Sequence, residues 1–249
     1  MGILDFFSKQ RRTARARASN IKGAVHKFAQ SGDRFKNLQA LRDDGSDEAL
    51  YGLMRRFGMM YDKTIEDEQE KDWVFEVLVE KGITILPALK RYLSSADSIS
   101  WPLRLLDKVA DREVELATLQ EILARHEPGY ERDPTKKIQL LNHLAGLKDP
   151  RVPPLVAPYL ADMDEGVRYA AVEALVRQAD ETAAATALLD QLVKADEDSL
   201  RVRLQIAEGF ADLGWIVPAD RRDGVLKFLP EQFKLAKDGH VEKKPQAKD

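Results

Sequence analysis

The stretch that most constrains the fold is residues 150–215, because it reads as one unit written twice. "PRVPPLVAPYLADMDEGVRYAAVEALVRQAD" (150–180) holds an apolar helix, the turn "ADMDEG" and a second helix. "ETAAATALLDQLVKADEDSLRVRLQIAEGFADLGW" (181–215) repeats that order around the turn "ADEDS". Within each helix the apolar residues recur at three- and four-residue steps, as Val167, Ala170, Ala171, Ala174 and Leu175 do, which is the helical period. A helix pair of this size cannot bury its apolar stripe alone. Stacked neighbours can, and the core then runs from repeat to repeat. Looser copies are marked by Phe57, Leu93, Leu123, Leu160, Val193 and Leu229, at separations of 36, 30, 37, 33 and 36. "GITIL" (82–86) is the best strand candidate. "PALKRYL" follows in helical register, so the segment reads as a helix start with Pro87 in the first turn.

Composition narrows the chemistry. The chain has no cysteine, so a disulfide framework, a zinc–cysteine site and a thiol nucleophile are excluded. No apolar run approaches the roughly 18–20 residues a membrane span needs. "MGILDFFSKQRR" does not read as a secretory signal, since its charges follow the apolar part, and Phe6 breaks the myristoylation pattern. The expected location is cytoplasmic, with peripheral attachment at the inner face of the membrane as an option. Charge is uneven. Residues 1–42 carry ten Lys/Arg against two acids, a net +8, so with −3 for the whole chain the remainder carries −11.

Residues 47–229 resemble HEAT repeats, in the bacterial HEAT-like form also found in phycobilisome lyases. The resemblance rests on Asp162 standing six residues before Arg168, with Val167 just ahead of the arginine. Asp196 stands five residues before Arg201, preceded by Leu200, and Leu103-Arg104 is a third, weaker case. "EDEQEKDWVFEVLVEKG" lacks the arginine, and "HEPGYERDPT" is a longer insertion. The resemblance implies an all-α, armadillo-like, right-handed α-solenoid of five to six degenerate helix pairs whose second helices line a concave face. The expected domains are a basic N-terminal arm and capping helix (1–46), the solenoid (47–230) and a disordered polar tail (231–249).

The turn acids Asp97, Asp162, Asp164, Glu165, Asp196, Glu197 and Asp198 read as helix caps rather than as acid–base groups. Arg104, Arg168 and Arg201 read as partners of those acids, tying repeats together, rather than as anion ligands. His26, His126, His143 and His240 have no ligand spacing, so neither a metal nor a cofactor is expected. Trp101 and Asp107 resemble the tryptophan and aspartate of HEAT-like DNA glycosylases, but six residues separate them instead of the four that share one helix side. An enzyme reading, bilin lyase or DNA glycosylase, therefore ranks below a non-enzymatic scaffold or adaptor for a protein partner. The binding strip would comprise Trp101, Arg104, Lys108, Lys137, His143, Tyr169, Glu173, Arg177 and Arg203. An ordinary solvated face of mixed charge explains the same residues equally well. The N-terminal residues Phe6, Phe7, Arg11, Arg12, Arg15 and Arg17 admit three readings: contact with an anionic membrane or a protein, contact with nucleic acid (ranked lower), or a helix covering the end of the array.

Overall fold

The computed structural model describes the backbone of residues 3–245 and the side chains of residues 10–245. The fold is all-α and HEAT-like, and the chain divides into two compact units, Met1–Ile122 and Leu123–Asp249.

The N-terminal unit contains α1 (Ile3–Ala24), α2 (Ser31–Asp44), α3 (Asp47–Met54), α4 (Thr64–Lys81), α5 (Leu86–Ser95), α6 (Ser100–Val109) and most of α7 (Arg112–Leu123). First helices α1, α3 and α5 pack in succession, and second helices α2, α4 and α6 do the same. Leu38, Leu41, Leu53, Val74, Leu78, Leu89 and Leu106 are fully buried between them. The described part of the expected arm (1–46) is therefore not an appendage: α1 and α2 form the first helix pair of this unit, with Ala24, Leu38 and Leu41 inside the core. Gly52 makes the α1–α3 contact possible, because a Cβ there would lie 2.5 Å from Ile21 Cγ1. "GITI" forms a 3-10 turn (Gly82–Ile85) that runs into α5 with Pro87 in the first turn, as its sequence predicts.

The C-terminal unit contains α8 (Thr135–Ala145), α9 (Val152–Val156), α10 (Glu165–Gln178), α11 (Glu181–Leu192), α12 (Leu200–Leu213) and α13 (Arg222–Phe228). Second helices α8, α10 and α12 lie side by side, with α10 in the middle. The alanines of the opening repeat serve this packing: Ala170, Ala171 and Ala174 are buried on α10. Gly209 on α12 does the same, since a Cβ there would lie 2.5 Å from Val176 Cγ2. Gly209→Ala should therefore lower stability by about 1–2 kcal/mol in denaturant unfolding, because overpacking a stiff β-branched neighbour outweighs the gain in helix propensity. A stabilised variant would show that α10 and α12 can separate freely.

The segment expected to be a disordered tail differs. Strands β1 (Phe233–Leu235) and β2 (Val241–Lys243) pair antiparallel, Phe233 opposite Lys243. Phe233 and Val241 are buried, and Lys243 bonds Glu208 and Asp212 of α12. Arg222 holds the hairpin turn through the carbonyls of Lys237 (2.8 Å) and Asp238 (2.6 Å). These contacts join residues distant in sequence, so local polarity gave no sign of them. Residues 246–249 of that expected tail lie outside the described residues.

Candidate functional site

The second helices are set in place by buried cations near their first turns. On α10 the cap is Asp164, whose carboxylate accepts Val167 N–H at 3.1 Å, and Arg168 is the fourth residue after it. Arg168 donates to both oxygens of Glu197 at 2.9 and 2.8 Å, to Asp198 at 3.0 Å, and back to the carbonyls of Asp162 and Met163. On α8, Lys137 donates to Asp162 at 2.9 Å and to the Gly129 carbonyl at 2.8 Å. In each case a cation on one second helix holds the buried acid of the following turn. That acid in turn accepts the N–H of the next cap: Asp162 from Asp164, and Glu197 from Ser199, each at 2.9 Å. Burial pushes the Glu197 carboxyl up, but Arg168, Ser199 N–H and Gln191 outweigh it and hold the group below the usual glutamate range.

The N-terminal unit uses the same device. Arg34 is the fourth residue after the α2 cap Gln30, donates back to the Ala29 carbonyl, and binds Glu70 of α4 at 2.7 Å. Arg56 joins this cluster through Glu70 (2.8 Å) and Asp67 (2.7 Å), and Lys71 binds Asp67 at 2.6 Å. Both arginines are fully buried.

With the helices fixed, their outward residues form a recurrent pattern of arginine stacked on a half-buried aromatic ring. Arg42 of α2 sits 5.7 Å above Trp73 of α4. Arg104 sits 4.4 Å above Trp101 on α6, and Arg201 of α12 sits 3.7 Å above Tyr169 of α10. Trp101 also stacks on Phe57 at 5.5 Å with rings nearly parallel, and Phe35 meets Trp73 edge-on at 4.8 Å. Tyr169 Oη donates to Gln205 Oε1 at 3.1 Å. Planar cations on rings lose little entropy when a partner covers them, which makes such pairs suited to binding.

Residues 116–211 match the family model described as HEAT repeats. That segment is a run of HEAT repeats. No curated protein sequence matches the chain. A solved structure of human deoxyhypusine hydroxylase in complex with glycerol aligns over 90% of this chain and 92% of that one, at 13% identity and a TM-score of 0.32. At that score the likeness carries no argument.

The HEAT geometry sorts the residues singled out from the sequence. Arg168 bonds turn acids, as expected. Arg104 and Arg201 do not; each lies over an aromatic ring instead. The register explains Arg201: with Asp164 and Ser199 as equivalent caps, Val167-Arg168 corresponds to Val202-Arg203, not to Leu200-Arg201. Arg203 donates to the Lys194 carbonyl at 3.0 Å and lies over Phe228 at 4.9 Å, so it faces inward between helices. Lys137 is likewise no surface residue, since the 124–134 insertion covers it. Trp101 and Tyr169 are half-buried, and Lys108 and Arg177 are exposed, Arg177 pairing with Glu173 at 2.9 Å. His143 is half-buried on α8. Asp107 lies at the surface, 3.5 Å from its neighbour Lys108. Of the acids expected to cap, Asp164 does so, whereas Asp162 and Glu197 are buried ion-pair partners. The α6 cap position is Ile99, so Asp97 caps nothing. In α1, Arg11, Arg12 and Arg15 are exposed, but Arg17 is tied to Asp44 at 2.8 Å. The side chains of Phe6 and Phe7 lie outside the described residues. Among the described residues no helix is long and apolar enough to cross a membrane, and no group of three His, Asp or Glu side chains could hold a metal. Sequence reasoning missed Arg34 and Trp73. The "GDRF" context of Arg34 lacks the aliphatic residue that marks the repeat arginine.

Proposed function

We propose that the protein is a non-enzymatic scaffold or adaptor that binds a protein partner along its second-helix faces. The observation that carries this is the arginine-on-aromatic pair recurring at Arg42/Trp73, Arg104/Trp101 and Arg201/Tyr169. Trp, Tyr and Arg are the residues that dominate binding energy in protein interfaces. Scaffold rigidity supports the same reading, because the buried cation–acid contacts fix these side chains before a partner arrives and reduce the ordering cost of association. The −11 balance beyond residue 42 disfavours a nucleic-acid backbone as the occupant.

The test is a photoreactive residue placed at Lys108 or Arg177, on second helices, and at Thr186 on the first helix α11. The two second-helix positions should yield the same adduct in the producing cell, and Thr186 should not. Arg104→Glu and Arg201→Glu should each then weaken binding of that recovered partner about tenfold or more with unchanged Tm. Adducts from Thr186 alone, or from none of the three positions, would overturn the reading.

A further inference from the structure

A second feature lies within the N-terminal unit. The loop after α1, the end of α3 with the 3-10 turn Arg55–Gly58, and the α5–α6 turn enclose an open cavity of about 520 Å³. That volume falls within the range of small-molecule sites. Its floor is built by Tyr51 of α3 and Tyr92 of α5, whose rings meet edge-on at 5.9 Å. The Tyr51 hydroxyl is engaged with Ser95 Oγ at 3.2 Å, and Arg91 covers one face of the Tyr51 ring at 4.5 Å. Tyr92 is almost wholly buried, and Gly58 lets the backbone approach it, since a Cβ there would lie 3.1 Å from the Tyr92 hydroxyl. Buried Met59 adds apolar surface.

Two opposite charges line this cavity without partners. Arg55 and Asp97 are both exposed, and among the described residues neither side chain makes a hydrogen bond or ion pair. Their neighbours behave otherwise: Arg56 is bound by Glu70 and Asp67, and Arg91 by Asp47 and Glu48. Both lie near the same hydroxyl. Burial pushes Tyr92 up to about 12, and of the charges around it Arg55 acts downward while Asp97 acts upward. The cation and the acid thus border one tyrosine-floored space, too far apart to neutralise each other directly. A ligand carrying an acid group and an amine on a compact apolar body would satisfy both and cover the rings.

We propose that this cavity is a binding site for a small zwitterion of the amino-acid class, with its acid group on Arg55, its amine at Asp97 and its apolar part against Tyr51, Tyr92 and Met59. The same chemistry is offered by a free amino acid and by a very short peptide.

The full chain is titrated with the twenty free amino acids and with apolar dipeptides, following calorimetry and amide chemical shifts. At least one apolar member should saturate at millimolar concentration or below. Its N-acetylated form and its carboxamide should each bind about tenfold more weakly or worse. Arg55→Gln should erase the preference for acid over carboxamide, and Asp97→Asn the preference for free over acetylated amine. Both positions are exposed, so these variants keep the fold. Saturation by free amino acids alone points to a metabolite, and by dipeptides alone to a peptide; either supports the site. No saturation by any probe, equal binding of the blocked forms, or binding unchanged in both variants would overturn it.

Discussion

Glu70→Leu should destabilise the N-terminal unit by about 3–5 kcal/mol in denaturant unfolding, one of the two largest effects expected anywhere in the protein. Glu70 is the shared acceptor of two arginines that have no access to water, Arg34 at 2.7 Å and Arg56 at 2.8 Å. Removing it leaves Arg34 buried with no carboxylate, held by the Ala29 carbonyl and by Tyr61, whose ring lies 4.0 Å from the guanidinium carbon. Arg56 is better insulated, because Asp67 still binds it. The double variant Glu70→Leu/Arg34→Met should therefore recover more than half of the loss, since apolar groups of similar volume can replace a buried pair at little cost. A loss below about 1 kcal/mol for the single variant, or no recovery in the double one, would show that water reaches the cluster.

Arg168→Ala should cost a similar amount, about 3–5 kcal/mol at neutral pH, by leaving the Glu197 carboxylate uncompensated. The Glu197 side chain has no solvent exposure. The pH dependence separates this mechanism from lost packing. Burial pulls the Glu197 carboxyl up, and Arg168 leads the groups that bring it below 4.5. A depressed folded value means the pair contributes fully above the unfolded value and is lost as pH falls through the folded one. Without Arg168, burial acts less opposed and raises the group, so protonation relieves the variant. The gap between the two proteins should be largest near pH 7 and narrow as pH falls through the carboxylate range, first as the raised group of the variant takes up its proton and then as the intact pair is lost. A gap independent of pH would mean that Arg168 acts through packing alone. Arg168→Lys should recover only part of the loss, since an ammonium cannot reproduce the two-oxygen grip.

The periodicity at Val167–Leu175 predicted the helix α10, and the role of Arg168 followed from the nearby acidic turn. What failed was register and reach. Leu200-Arg201 looks like Val167-Arg168 by side-chain type, yet the cap at Ser199 moves the equivalence to Val202-Arg203, because the distance from the cap sets where a side chain points. Lys137 looked like a surface residue because the covering segment, "HEPGYERDPT", is polar. Its loop is held down by three contacts on the lysine and Asp162, two of them to the backbone of Gly129. Of the residues around the proposed zwitterion site, Asp97 was noticed, but as a helix cap. Its place in that site appears only once Arg55, forty-two residues earlier, is set beside the same tyrosines.

By itself the sequence determined the all-α class, the paired-helix repeat, the close packing of the alanine-rich α10 and the absence of thiol chemistry. The class, the alanine packing and the missing thiol depend on composition or on intervals of three to seven residues, which a helix converts directly into a face, and the repeat on the recurrence of one local pattern every 30–37 residues. The tertiary structure alone decided that repeats begin at α1, that the C-terminal residues fold back as a hairpin, and which arginines are buried partners and which lie on aromatic rings. Those outcomes rest on contacts between residues some thirty positions apart, such as Arg34 with Glu70 and Arg168 with Glu197. At that range the deciding quantity is which carboxylate or ring the stacking of helices brings within about 3–6 Å, and no local pattern encodes it.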